Sequence, residues 1–309
     1  MELPIILQKD DSGAKQETLA DNQALEFVER YRNFYEHYAR GRIRIEPTPP
    51  GTDTFAFNLE TNTIYIHPRF YQELGFSEER TSFATLHEIE HFLEKIQMLG
   101  ESDGARKFAR YLRQIKKSEA FGVMDNCVAD IRENRTVVAR TDKESGQFRQ
   151  IEEGLYQEVL FKERDFTSEP CHIQFCYALL REARVSDEPC AVAPEVREHL
   201  DALREIKGKD GRNLLDIMTN PRVPMSMRLR LQDQFIWPIV EKLLKKDLED
   251  QKKNQKGEKE STDPNKIFKD AYNRASRKVP NAVSIEAVDK AFTDWQKVQG
   301  DNPSDQADQ

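Results

Sequence analysis

The chain has 309 residues, of which 38% are hydrophobic and 33% are charged, and its net charge is −8 at pH 7. This length allows one large domain or two smaller ones. The negative charge argues against nucleic acid or an anionic membrane as the main partner. No apolar run approaches the ~18 residues that a transmembrane helix needs, and no signal-peptide pattern opens the chain. We therefore expect a cytoplasmic protein.

The cysteines give no sign of an oxidised or metal-bound scaffold. There are four of them, at positions 127, 171, 176 and 190, and none form Cys-x-x-Cys. Because nothing indicates export, buried thiols are a better interpretation than two disulfides. A structural zinc held by cysteines is a minor alternative, since the spacing fits no common pattern.

The first part of the chain predicts a helix followed by a small sheet. Apolar residues at helical spacing predict a helix over 23–39. Residues 43–46 alternate and predict a short strand. Residues 55–59 and 64–66 alternate with period two around a polar connection, which is typical of a hairpin. A short helical segment around residues 69–74 then leads into the next helix.

The stretch after this hairpin contains the motif His-Glu-x-x-His at residues 87–91. On a helix, residues four apart lie on one face, so His87 and His91 can direct two imidazole nitrogens at one metal ion. Glu88 is turned by about 100° from His87, and it then lies beside the metal, where it can hold a water. This is the arrangement that a zinc hydrolase needs. The alternative is a surface helix in which the motif has no function.

The residues around the motif favour a helix with one buried side. Ser77 is a suitable N-cap, and Glu78 and Glu79 suit the positive end of the helix dipole. The apolar residues gather on one side of the predicted helix: Phe83, Leu86, Ile89, Leu93 and Ile96. Both histidines lie at the edge of that apolar side, as expected for a helix that lines a cleft.

A third protein ligand must come from another element, because catalytic zinc usually has three. Helical spacing over residues 121–138 places Asn126, Asp130 and Asn134 in one ladder, with Glu133 beside it. Amides around a single carboxylate are unusual on a solvated face. Asp130 is the preferred ligand, with Asn126 and Asn134 as groups that orient the site. Glu133 as the ligand and a purely structural ladder remain alternatives.

A hairpin followed by a His-Glu-x-x-His helix resembles the N-terminal half of a zincin metallopeptidase domain, over roughly residues 43–138. The resemblance implies that an edge strand from residues 55–66 pairs with an extended peptide substrate. It also implies a later helix with an acidic ligand and a polar residue four positions on, as in Asp130 with Asn134. In a rival register, Asn126 stands where Glu-x-x-Ala-Asp has its ligand Glu, and that ligand is then lost.

The pair HEIEH and DNCVADIRENR is also similar to metallopeptidase-like domains found upstream of von Willebrand factor A modules in some bacterial proteins. The similarity is carried by Asp130 and the flanking asparagines. No such module is visible in this chain.

The C-terminal half is predicted to be mostly helical. The helices run from Pro170 to about residue 250, and the predicted kink or division in the last one lies at Pro238. His172 is expected to be structural, and the alternative that the zincin resemblance implies is that it steadies an oxyanion. The predicted segments are a zincin-like metal-binding domain at 1–165, a helical subdomain closing the cleft at 166–249, a disordered linker at 250–265 and a helical tail at 266–309.

The sequence thus predicts an α+β fold and a zinc-dependent metallopeptidase. His87, His91 and Asp130 are expected to hold Zn²⁺, and Glu88 to act as general base. The partner is a peptide or protein substrate, with a second protein possible at the C-terminal tail. The alternative function is a catalytically silent zincin-like module that binds or regulates. A helical scaffold protein is the third hypothesis.

Overall fold

The fold is α+β, with one small sheet and many helices. The chain divides into two compact units, Met1–Thr85 and Leu86–Gln309, and the division falls inside the helix that carries His87. The computed structural model describes residues 11–47, 56–58, 61–66, 75–141, 146–162, 164–185 and 188–254. Within those residues, no helix is long and apolar enough to cross a membrane.

The first unit consists of one long helix and a three-stranded sheet. Helix α1 spans Asp11–Tyr38, and the strands are β1 (Arg44–Pro47), β2 (Ala56–Asn58) and β3 (Thr63–Ile66). Strand β3 lies in the centre, parallel to β1 and antiparallel to β2. The predicted strand and hairpin are therefore confirmed, whereas α1 begins at Asp11 and not at residue 23.

Burial in the first unit follows the alternation of the strands. Ile45, Ile64 and Ile66 are buried, as expected for strands with one covered face. The buried side of α1 includes Val28 and Tyr35. The predicted short helix at residues 69–74 lies outside the described residues, as does the tail at 266–309.

Helix α2 spans Glu78–Leu99 and contains the histidine motif. It begins as predicted, because Ser77 Oγ accepts a hydrogen bond from the backbone N–H of Arg80 at 3.3 Å. Leu86, Ile89 and Leu93 of its second-unit part are buried. The apolar side read from the sequence is thus the side that faces the core.

The remaining helices belong to the second unit. Helix α3 spans Gly104–Lys117, α4 spans Glu119–Thr141, and α5 spans Gln147–Leu155 and continues as a π-helical turn over Tyr156–Leu160. Helix α6 follows at Cys171–Arg184. All four elements match segments whose apolar spacing is helical.

The end of the described chain is also helical. Helix α7 spans Pro194–Glu205, α8 spans Leu214–Met218 and α9 spans Met225–Leu231. A π-helical turn at Gln232–Ile236 joins α9 to α10, Trp237–Asn254. This turn lies just before Pro238, which is the second residue of α10, and the predicted kink or division at Pro238 stays a prediction. Helix α10 ends at Asn254, so the first residues of the predicted linker at 250–265 are helical.

The core of the second unit lies where α4, α6 and α10 pack against one another. Its fully buried apolar residues include Met124, Val128, Ile131, Ile173 and Phe175. All four cysteines are free thiols, and three of them are buried. The helices of the predicted subdomain at 166–249 thus pack directly on α4. The predicted division of the chain into four segments stays a prediction.

A buried ionic cluster connects α2, α4 and α9. Arg228 of α9 donates two hydrogen bonds to the Glu94 carboxylate of α2, at 2.9 and 2.7 Å, and one to Asp125 Oδ1 of α4, at 2.6 Å. Gln232 accepts a further bond from Arg228 at 2.8 Å. Arg132 of α4 lies 3.2 Å from Glu94. All of these side chains are buried.

Assembling such a cluster costs free energy, because its charges lose their hydration, and removing one partner costs more, because it leaves another charge buried and uncompensated. Taking charges out of water is unfavourable, and the loss is offset only when each charge keeps its partners. Burial would raise the pKa of Glu94, but the charges of Arg228 and Arg132 lower it to about 2. Glu94 is therefore ionised at neutral pH and depends on its arginines.

We expect Arg228→Met to lower the free energy of unfolding by about 3–5 kcal/mol, because it leaves Asp125 buried without its arginine and takes from Glu94 one of its two arginines. Urea unfolding followed by circular dichroism measures this loss. Arg230→Met is the control, since Arg230 is an exposed residue of the same helix, and its effect should stay within about 0.5 kcal/mol. Equal losses in the two variants would contradict the role of the cluster.

Candidate metal centre

The site is built along the contact between α2 and α4. His87 of α2 lies against Asn134 of α4, and His91, four residues later, lies against Asp130, four residues earlier. The two helices are therefore antiparallel along this contact. Because both histidines and both α4 residues are spaced by four, each pair lies about one helical turn from the next.

Three donor atoms converge at this contact. His91 Nε2 lies 3.0 Å from His87 Nε2 and 3.0 Å from Asp130 Oδ1. His87 Nε2 lies 3.4 Å from Asp130 Oδ1. Among the described residues, this is the one group of three histidine, cysteine or carboxylate side chains that could hold a metal ion.

The spacing of the three atoms fits a tetrahedral ion. Zinc bonds to nitrogen and oxygen of about 2.0–2.1 Å place two tetrahedral ligands about 3.3 Å apart. The observed separations of 3.0, 3.0 and 3.4 Å are close to that value. Two imidazoles and one carboxylate are also a donor set that zinc accepts. The residues present therefore fit the metal that the motif predicts.

Two of the three donor groups, His87 and Asp130, have a neighbour that fixes their orientation. His87 Nδ1 donates to Asn134 Oδ1 at 2.7 Å, which directs Nε2 at the other donors. Asn126 Nδ2 donates to Asp130 Oδ2 at 3.2 Å, which leaves Oδ1 for the site. Asn126 and Asn134 thus make the hydrogen bonds expected of orienting groups.

The electrostatics of the site show how closely the three groups interact. Burial by itself would lower the pKa of His87, but the hydrogen bond and charge of Asp130, aided by Glu88, raise it to about 9. Burial and the charge of His87 lower the pKa of His91 to about 4. Burial would raise the pKa of Asp130, but both histidines lower it. At neutral pH, His87 therefore carries one ring proton more than His91 does.

Glu88 lies next to the cluster and is less enclosed than the donors. His87, His91 and Asp130 are 3%, 6% and 5% exposed, whereas Glu88 is half-buried. Its charge contributes to the raised pKa of His87. The predicted base thus lies close to the donors and is less enclosed than they are.

The two other candidate residues are engaged elsewhere. Both carboxylate oxygens of Glu133 accept from Arg132 Nη1, at 3.0 and 2.9 Å. His172 Nδ1 lies 2.7 Å from Asp247 Oδ2, and Asp247 also accepts the backbone N–H groups of Cys171 and His172. Neither residue is part of the three-donor group. Glu133 therefore belongs with the ionic cluster, and His172 with the start of α6.

Sequence reasoning did not identify Tyr156, which accepts a hydrogen bond from Asn134 Nδ2 at 2.7 Å. It lies 22 residues after Asn134, in a segment whose pattern gave only an uncertain helix. No motif marks this tyrosine. The only signal is a tyrosine, a residue that usually finds a polar partner when buried, in an otherwise mixed segment.

Comparison with known proteins gives no relative from which a function can be transferred. No protein-family model, no curated protein and no solved structure matches this chain. The resemblance to zincins therefore stays a prediction from the motif. What supports a metal centre is the meeting of three donor atoms from two helices.

Proposed function

We propose that the second unit binds one zinc ion through His87, His91 and Asp130 and hydrolyses peptide bonds. The observation that carries the proposal is the triangle of donor atoms, 3.0, 3.0 and 3.4 Å on its sides, with the half-buried Glu88 next to His87 in the chain. Three protein donors leave one tetrahedral position for a small ligand, which is typical of catalytic rather than closed structural zinc sites.

The side chains have distinct roles in this proposal. When bound, zinc lowers the pKa of a water toward ~7 and polarises the substrate carbonyl. Glu88 takes a proton from the attacking water and later delivers it to the leaving amine. Asn126 and Asn134 keep Asp130 and His87 in place, so the donors do not have to reorganise.

A second candidate is a catalytically silent module in which the metal stabilises the fold. The burial of all three donors favours it, because a substrate must reach a catalytic ion. A binding or regulatory role would then depend on other surfaces of the chain. Metal content supports the site under either candidate, and only an activity measurement separates them.

We expect purified protein to contain about one zinc per chain, measured by plasma mass spectrometry. His87→Ala and Asp130→Ala should each lose most of it, because each removes one of three donors. His199→Ala is the control, since His199 lies on α7 outside the three-donor group, and it should keep its zinc. Full zinc content in Asp130→Ala would rule out this carboxylate as a ligand.

We expect Glu88→Gln to retain zinc and to lower peptide hydrolysis by about 10²–10⁴-fold, because the amide cannot accept the proton. A mixture of quenched fluorogenic peptides measures the rate. Glu79→Gln, an exposed position on the same helix, should leave the rate unchanged. Zinc bound without hydrolysis in the unmodified protein would favour the silent module, and activity retained in Glu88→Gln would contradict the proposed base.

We also expect zinc affinity to rise with pH. The raised pKa of His87, about 9, means that zinc must displace one proton below that pH, whereas the lowered pKa of His91, about 4, adds none near neutrality. The logarithm of the apparent affinity should therefore rise with a slope of about one between about pH 6 and about pH 8. Competition with a chromophoric chelator measures it, and a flat profile would contradict the coupling of Asp130 to His87.

A further inference from the structure

A chain of two short hydrogen bonds extends from the metal centre into the second unit. His87 Nδ1 donates to Asn134 Oδ1 at 2.7 Å, and Asn134 Nδ2 donates to the Tyr156 hydroxyl at 2.7 Å. The three residues come from α2, from α4 and from the π-helical turn after α5. His87, Asn134 and Tyr156 are 3%, 1% and 3% exposed, so water has little access to replace either bond.

The backbone around Tyr156 is unusual. Tyr156 is the first residue of the π-helical turn. Its backbone carbonyl accepts a hydrogen bond from the N–H of Phe161, five residues later, at 3.0 Å. Such turns are rare and occur often at functional sites, since they re-aim a side chain at some cost in helix geometry. Here the turn brings a buried hydroxyl to the outer end of Asn134.

The direction of these two hydrogen bonds matters, because the side-chain amide of Asn134 can bind its neighbours in two orientations, which exchange its oxygen and its NH₂ group. With Oδ1 on His87, Nδ1 keeps its proton when the second ring proton is displaced, and the ring then presents Nε2 to a metal ion. With the amide reversed, its NH₂ group faces Nδ1, and the ring proton moves to Nε2, where it blocks a metal. Tyr156 contacts the end of Asn134 away from the histidine.

The charges around Tyr156 favour the first arrangement. Burial and the negative charges of Asp130 and Glu152 raise the pKa of Tyr156, so its hydroxyl keeps its proton. The hydroxyl oxygen accepts from Asn134 Nδ2, which leaves the hydroxyl hydrogen to be directed toward this negative charge. Glu152 is itself held by an ion pair with Arg184.

We propose that Tyr156 is a positioning residue for the metal centre, which acts through Asn134 to keep His87 Nδ1 protonated and His87 Nε2 available to the ion. The inference rests on the proposed metal binding and deepens it, since it names a group outside the sequence motif on which zinc affinity depends. It does not require that the site be catalytic.

Zinc affinity tests this role directly. We expect Tyr156→Phe, which removes one oxygen atom, to weaken zinc binding about tenfold in a chelator competition. Tyr111→Phe is a matched control, because the Tyr111 hydroxyl is also buried and donates to Asp125 Oδ2 at 2.7 Å, away from the donors. Its zinc affinity should change less than about threefold. Equal weakening in the two variants would overturn the proposal.

A double-mutant cycle separates positioning from general destabilisation. If Tyr156 acts through Asn134, Tyr156→Phe should have no further effect on zinc affinity once Asn134→Ala is present. If its effect is structural, the losses should add. Additive losses would therefore overturn the proposal even when Tyr156→Phe alone weakens binding.

The ring proton of His87 gives a readout that is independent of metal binding. We expect a slowly exchanging Nδ1–H signal of His87 in nuclear magnetic resonance spectra of metal-free and zinc-loaded protein. Its exchange should accelerate at least about tenfold in Tyr156→Phe and remain unchanged in Tyr111→Phe. If the unmodified protein binds no zinc, the proposed function fails, while this signal in metal-free protein still decides the role of Tyr156. Unchanged exchange in Tyr156→Phe would overturn that role.

Discussion

The hydrogen bonds of Arg228 to two buried carboxylates set the register of α2 and α4, the helices that carry the site. Glu94 of α2 and Asp125 of α4 both bind this one guanidinium. Because a guanidinium is planar and its donors are fixed, it holds the two acids at a defined separation. Breaking the register would leave charges buried and unpaired, so the two helices keep the alignment in which the donor atoms meet.

The meeting of the three donor atoms is a second consequence of that alignment. Two antiparallel helices with residues spaced by four bring His87 to Asn134 and His91 to Asp130. The donors are held by hydrogen bonds that do not themselves involve a metal. A site prepared in this way pays little reorganisation on binding an ion, which increases affinity. Because the three donor residues are buried, a bound metal that only stabilises the fold is the alternative to a catalytic one.

Much of the arrangement of the site can be predicted from the sequence, because it depends on the local spacing of residues along each helix. The i, i+4 pair His87 and His91, the cap at Ser77 and the polar ladder with Asp130 at its centre all follow from helical periodicity. The sequence favoured Asp130 but left Glu133 open as an alternative, because both lie on the inner part of the same helix. The choice depends on how α4 is rotated, which the contact of Arg132 with Glu94 of α2 and the packing of the core decide.

The sequence by itself determined most of the helices, the hairpin of β2 and β3 and the two histidines with their glutamate, since each depends on residues close together in the chain. The parallel pairing of β1 with β3 was decided by the tertiary structure. Only the tertiary structure decided that Asp130, 39 residues from His91, completes the donor group, and that Arg228, 134 residues from Glu94, and Tyr156 support it. The physical reason is that periodicity specifies which face of a helix is polar. Which faces meet is specified by the packing of the whole core, where burial of charge and of apolar surface is balanced over many residues.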